Sequence, residues 1–141
     1  MTVILVRHAS AGKRSRWTGD DHLRPLDERG RRQAAGLAAA LAPRGVERVL
    51  TSPYVRCRQT VEPLAGALGL EVEERAELAE GAGEAAAALL DGLQGGVAVL
   101  CTHGDVVAAV LGEESAKGSA WVLEPDDEGG LTPHEYLRPA V

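Results

Sequence analysis

Three short apolar runs in this chain stop in the same way. Thr2–Val6 (TVILV) gives way to Arg7-His8, Arg48–Thr51 to Ser52-Pro53, and Gly96–Cys101 (GVAVLC) to Thr102-His103-Gly104. A brief run rich in β-branched residues, cut off by a polar segment, is the pattern of a strand buried on both faces. Helical periodicity fills the intervals. From Asp27 to Leu41 the residues Ala34, Leu37, Ala38 and Leu41 share one face, with Asp27 as N-cap and Gly45 able to close the helix. Ser52-Pro53 reads as the N-cap and first residue of a second helix to Leu68. Glu84–Leu93 and Asp105–Leu111 predict two more, and Glu71–Arg75 a weak strand. Ala120–Glu124 and Leu131–Leu137, flanking Asp126–Gly130, predict a hairpin. Alternating strands and helices imply one α/β domain over residues 1–141, a three-layer α/β/α sandwich with a mostly parallel central sheet. Ligands of such sheets sit beyond the C-terminal ends of the strands, so the three polar segments should share one edge.

Charge suggests what that edge would hold. Residues 1–60 carry twelve Lys or Arg against five Asp or Glu, and residues 61–141 carry three against sixteen. A basic first half suits an anionic ligand, whereas the overall net charge of −6 argues against broad nucleic-acid binding. With no Phe, two Trp and two Tyr, the chain has few rings for stacking on bases. Cys57 and Cys101 lack any CxxC spacing, which predicts reduced thiols in a cytoplasmic protein. No apolar run is long enough for a membrane helix, and Arg7 interrupts the opening one too early for a secretion signal. The expected partner is therefore a phosphorylated substrate, with neither nucleic acid nor membrane.

Arg7-His8 alone would be an ordinary charged strand end. Three further features make it chemical. Arg56 falls on the first turn of the helix after Ser52-Pro53, close to an anion-favouring N-terminus. Thr102-His103-Gly104 repeats the strand end with a histidine, and an acidic segment, Glu74–Glu80, follows the weak strand. A neutral imidazole attacks a phosphate ester well, and neighbouring guanidiniums lower its pKa while holding the phosphate oxygens. A carboxylic acid can then protonate the leaving oxygen, and a phosphohistidine would be hydrolysed by water. Lys13, Arg14 and Arg16, followed by Trp17, form a basic loop that could read substrate or simply be solvated. The spacing of Cys57, Cys101 and His103 fits no usual zinc site, and no GxxxxGK phosphate loop exists.

Leu5-Val6-Arg7-His8-Ala9, Ser52-Pro53 with Arg56 and Gln59-Thr60, and Thr102-His103-Gly104 resemble the histidine phosphatase superfamily over nearly the whole chain. Within it the chain is most similar to small SixA-type phosphohistidine phosphatases. Arg14–Gly30 and Lys117–Leu123 also resemble the phosphatase domain fused to Nudix hydrolases, although no Nudix motif is present and the chain leaves no room for that partner. The resemblance implies a phosphoglycerate mutase-like fold, His8 as nucleophile, and a phosphate pocket of Arg7, Arg56 and His103. It implies no metal and no cofactor. The family's acid lies four residues before a glycine, which here selects Glu77 ahead of Gly81, with Glu80 and Glu74 as rivals. Ala9 stands where glycine is frequent, and Arg14 where mutase-like members place an asparagine. The short interval between Thr60 and Glu77 leaves little for the cap of a mutase and favours an open, hydrolytic site. The implied substrate is a phosphohistidine protein, with nucleoside diphosphates or sugar phosphates as alternatives. A phosphate-binding pseudoenzyme would have lost the nucleophile or the acid, and both are present.

Overall fold

The computed structural model describes residues 1–140 and has one six-stranded sheet in the order β3-β2-β4-β1-β5-β6. The strands are β1 (Thr2–Arg7), β2 (Arg48–Thr51), β3 (Val72–Glu74), β4 (Val97–Thr102), β5 (Ala120–Pro125) and β6 (Leu131–Leu137). β3, β2, β4 and β1 are parallel neighbours, whereas β5 runs antiparallel to β1 and β6 antiparallel to β5. Five of the six strands therefore point the same way, as a mostly parallel sheet requires.

Period-two alternation along β1 sorts its side chains onto the two faces. Ile4 and Val6 join Val49 and Val99 under α1 (Glu28–Leu41) and α2 (Val55–Leu68), which contribute Leu37, Leu41, Val61 and Leu64. Val3 and Leu5 join Leu50 and Leu100 on the other face, under α3 (Gly83–Gly92) and α4 (Gly104–Leu111). The result is three layers. Val3, Ile4, Leu5 and Val6 are all fully buried, and burying an aliphatic side chain of this size contributes about 1.5–3 kcal/mol. Asp27 caps α1 by accepting from Gly30 N at 2.7 Å, and Gly45 closes the 3-10 turn that follows it, at φ +72°.

One element departs from expectation. Helix α2 begins at Val55, after the segment Ser52–Tyr54, so Ser52-Pro53 does not supply its cap. Ser52 N still donates to Cys101 O at 2.9 Å, which keeps the residue at the sheet edge. Its hydroxyl lies 2.9 Å from His103 Nε2. The same hydroxyl accepts from Tyr54 N at 3.3 Å, so the serine joins the neighbouring strand's histidine to the start of α2.

Candidate active site

β2, β4 and β1 lie side by side in parallel, and their register pairs Thr51 with Cys101 and Arg7 with Thr102. His103 and His8 therefore emerge level with one another, and Ser52 one residue earlier, beside Thr102. His8 N donates to Thr102 O at 3.0 Å, and the His8 and His103 rings stand 5.5 Å apart, edge to face. Gly104 is required by a close approach: a Cβ there would stand 2.8 Å from Arg7 Cζ, so the glycine lets that guanidinium lie over the start of α4. Arg7 Nη1 donates to Ser115 O, and Arg56, fully buried on α2, stacks 4.7 Å above the Tyr54 ring. Arg7, His8, Arg56 and His103 all line one cavity of about 720 Å³.

The tautomer of His8 follows from its contacts. Nδ1 lies 2.8 Å from Ala9 O, and a carbonyl oxygen only accepts, so Nδ1 carries the proton and Nε2 keeps its lone pair. Burial pushes the His8 pKa down to about 3; the bond to Ala9 O opposes this, and the charges of His103, Arg56 and Arg7 add to it. The guanidiniums, expected to lower it most, contribute less than burial. At neutral pH the imidazole is uncharged and aims one lone pair outward. Buried atoms of the cage lack partners as well: Arg7 Nε, Arg56 Nε and His103 Nδ1. Unpaired buried polar groups of this kind are costly unless a ligand meets them.

The expected acid does not reach the cavity. Glu77 sits in a 3-10 turn, Ala76–Leu78, that buries Leu78 and leaves the carboxylate outside, where it pairs with Arg75 at 3.2 Å. Its rival Glu80, three residues on, lines the cavity, 2.5 Å from Arg14 Nη2 and 3.7 Å from Arg56 Nη2. Glu74 is likewise outside, 2.9 Å from Arg58. The family's spacing selects Glu77, but the turn places Glu80 at the cavity.

The loop Ser10–Pro25 is less free than its composition suggests. Ala9 N donates to Thr60 Oγ1, Ser10 N to Gln33 Oε1, Gly12 N to Asp27 Oδ2 and Leu26 N to Gln59 Oε1. Side chains of α1, α2 and the α1 cap therefore hold both ends of it. Ala9, where glycine is frequent, buries its methyl with Ala11, Leu26 and Ala34. Lys13 and Arg14 line the cavity. Sequence reasoning missed Asp21, Arg24 and Lys117. Asp21 Oδ2 binds Arg56 Nη2 at 3.0 Å and its Oδ1 binds Arg24 Nε at 2.9 Å, so one carboxylate orients two guanidiniums. Asp20-Asp21, an acidic pair within an otherwise basic loop, was the available signal. His22, exposed on the same loop, stacks on Tyr54 with ring centroids 4.0 Å apart.

A family model described as the histidine phosphatase superfamily (branch 1) matches residues 3–89. The chain is 41% identical to an 8-oxo-(d)GTP phosphatase of Mycolicibacterium smegmatis, covering 98% of itself and 48% of that protein, so it spans about half the length of this curated relative. Among solved structures, it is similar to the protein histidine phosphatase SixA complexed with tungstate, at 26% identity and TM-score 0.79, covering 98% of this chain and 97% of the other. A phosphoserine phosphatase from Entamoeba histolytica shares the fold at 15% identity and TM-score 0.76, with 96% of each chain covered.

Proposed function

The chain belongs to branch 1 of the histidine phosphatase superfamily, and from that membership we propose that it hydrolyses a terminal phosphoryl group through a covalent intermediate on His8. The observation that carries the proposal is the Nδ1 bond of His8 to Ala9 O, which leaves a neutral Nε2 lone pair inside a cationic cage. In the proposed cycle Nε2 attacks phosphorus, an N–P bond forms, and the bond to the leaving oxygen breaks. Arg7, Arg56 and His103 bind the non-bridging oxygens, which compete with Asp21 and Glu80 for the Arg56 guanidinium. Glu80 gives its proton to the leaving oxygen and then takes one from the water that cleaves the N–P bond, releasing inorganic phosphate. Because these side chains supply the positive charge, the proposed reaction needs no metal, and EDTA is expected to leave turnover intact.

Superfamily members act on phosphorylated substrates. For this chain the proposed substrate is a nucleoside polyphosphate, supported by the likeness to the 8-oxo-(d)GTP phosphatase and by the cations Lys13, Arg24 and Lys117 around the same cavity. A phosphohistidine protein is the second reading, favoured by the near-complete overlap with SixA. The experiment is phosphate release from acetyl phosphate, nucleoside mono-, di- and triphosphates, sugar phosphates and a phosphohistidine protein, with His8→Ala as control. Release should fall on the order of 10⁴-fold or more in His8→Ala, the scale of losing a covalent nucleophile. Release that survives the substitution would refute the mechanism, and a phosphohistidine protein as best substrate would replace the nucleotide.

A further inference from the structure

A second groove of about 380 Å³ runs beside the phosphate cavity, and Gly12, Lys13 and Arg24 line both. The groove sets apolar residues beside the charged Lys13, Arg16, Arg24 and Asp27. Ala11 and Leu26, each 2% exposed, line it, together with Pro25 and Trp17. Trp17 is 37% exposed, and its Nε1 donates to Asp20 O at 2.9 Å, which pins an otherwise solvent-facing indole. A chain with two tryptophans leaves this one open in the groove that adjoins the His8 cavity.

The surrounding charge is unbalanced. Lys13, Arg16 and Lys117 form no ion pair among the described residues, whereas Arg14, Arg24 and Arg56 all hold carboxylates. Lys117 is one of three cations after residue 60, yet it comes to the cavity. Burial, then Arg7, Arg24 and Arg56, push its ammonium below the usual lysine value, opposed by Asp27. A cationic cluster of this kind is relieved by an anion beyond the one phosphate that the cage itself binds.

We infer that the Trp17 groove is the base shelf of a nucleoside diphosphate, with the inner phosphate held between Lys13 and Lys117 and the terminal phosphate at His8. The inference rests on the phosphatase reading above and adds the parts of the ligand that do not react. A flat, apolar base suits an exposed indole flanked by Pro25 and Leu26, and stacking tolerates any base. Arg16, at the groove's edge, adds a charge for the same polyanion. A phosphohistidine on a protein surface carries neither an inner phosphate nor a base for these two features.

The test compares guanosine diphosphate, inorganic pyrophosphate and acetyl phosphate as substrates of wild type, Trp17→Ala, Trp17→Phe and Lys117→Met. Trp17→Ala should raise KM for guanosine diphosphate relative to acetyl phosphate by about tenfold, the scale of one stacked base, and Trp17→Phe should recover most of it. Lys117→Met should raise KM for the two diphosphates relative to acetyl phosphate. In the His8→Ala protein, which binds without turning over, calorimetry should show guanosine diphosphate bound more tightly than pyrophosphate. Equal affinity for those two ligands, or an equal loss on all three substrates in Trp17→Ala, overturns the base shelf. His8-dependent release from acetyl phosphate alongside that result would leave the phosphatase reading standing. Absence of any His8-dependent release would remove that reading instead, and the calorimetry would still decide the shelf.

Discussion

The cavity has two walls built on different physical terms. One is the strand-end wall, where His8, Ser52, Arg56 and His103 are at most 6% exposed and sit on ladder-bonded backbone or the first turn of α2. The other is the loop wall, where Lys13, Arg14 and Trp17 are exposed on the 3-10 turn Arg14–Arg16 and its two flanking residues, and the Arg14 side chain is held by carboxylates alone. Backbone hydrogen bonds place His8, Ser52 and His103, whereas side-chain ties and ion pairs place the groups around them. An exposed ion pair is worth little, so the loop wall can yield to ligand where the strand-end wall cannot. That division suits a phosphatase: attack geometry is held fixed, and recognition is free to adapt.

The sharpest test of the division substitutes like for like on the two walls. Arg56→Lys keeps the charge but loses the planar fork that holds Asp21 through both Nη atoms. It is expected to lower kcat/KM on acetyl phosphate on the order of 10²-fold, the scale of one transition-state donor. Arg14→Lys, 61% exposed, should cost far less on the same substrate. Steady-state kinetics of the pair would check this, and equal losses would mean that the loop wall also takes part in the chemical step.

The strand-end wall was legible in the sequence, whereas the loop wall was legible as the basic run Lys13–Arg16 with Trp17 but not in the contacts that hold it. Apolar runs that end in Arg7-His8 and Thr102-His103 declare their own position, because a buried parallel strand leaves its next residue at a shared edge. The Gln59-Thr60 motif was also visible, although its work, holding Leu26 N and Ala9 N, is not. What stayed hidden depends on local backbone path. A 3-10 turn at Ala76–Leu78 sends Glu77 outward and brings Glu80 in, and no periodicity in an acidic, alanine-rich stretch encodes that rotation. Lys117 meets the cavity, and Asp21 meets Arg56, through folded loops far apart in sequence, which pattern reading does not join.

The acid is the next test, because Glu80 comes to the strand-end wall from a loop and is tied to both walls through Arg56 and Arg14. Glu80→Gln should slow hydrolysis of poor leaving groups by about 10²-fold or more and spare an acyl phosphate, whose leaving group needs no proton. Glu77→Gln should change neither, since its carboxylate faces Arg75. A leaving-group series run on both variants would separate them. If Glu77→Gln carried the leaving-group dependence, the turn would have to rearrange when substrate binds.

The smallest expected effect is the most specific to the strand-end wall. With the His8 pKa lowered to about 3 by burial, the imidazole stays neutral from pH 7 to pH 5, so protonation of His8 should not depress kcat/KM in that interval. An acid limb near the ordinary histidine value would show that burial does not govern the nucleophile. The same shift has a stability counterpart whose sign is fixed. Unfolded His8 takes up its proton near pH 6.5 and folded His8 only near pH 3, so the unfolded state binds more protons between those values. The stability that His8 allows at neutral pH is therefore lost as pH falls through that window, with a slope of at most about 1.4 kcal/mol per pH unit. Urea midpoints of wild type and His8→Asn at pH 7 and pH 5 would read it. The wild type should lose more than the asparagine variant, whose side chain does not titrate, and parallel losses would place the nucleophile in water rather than in the wall.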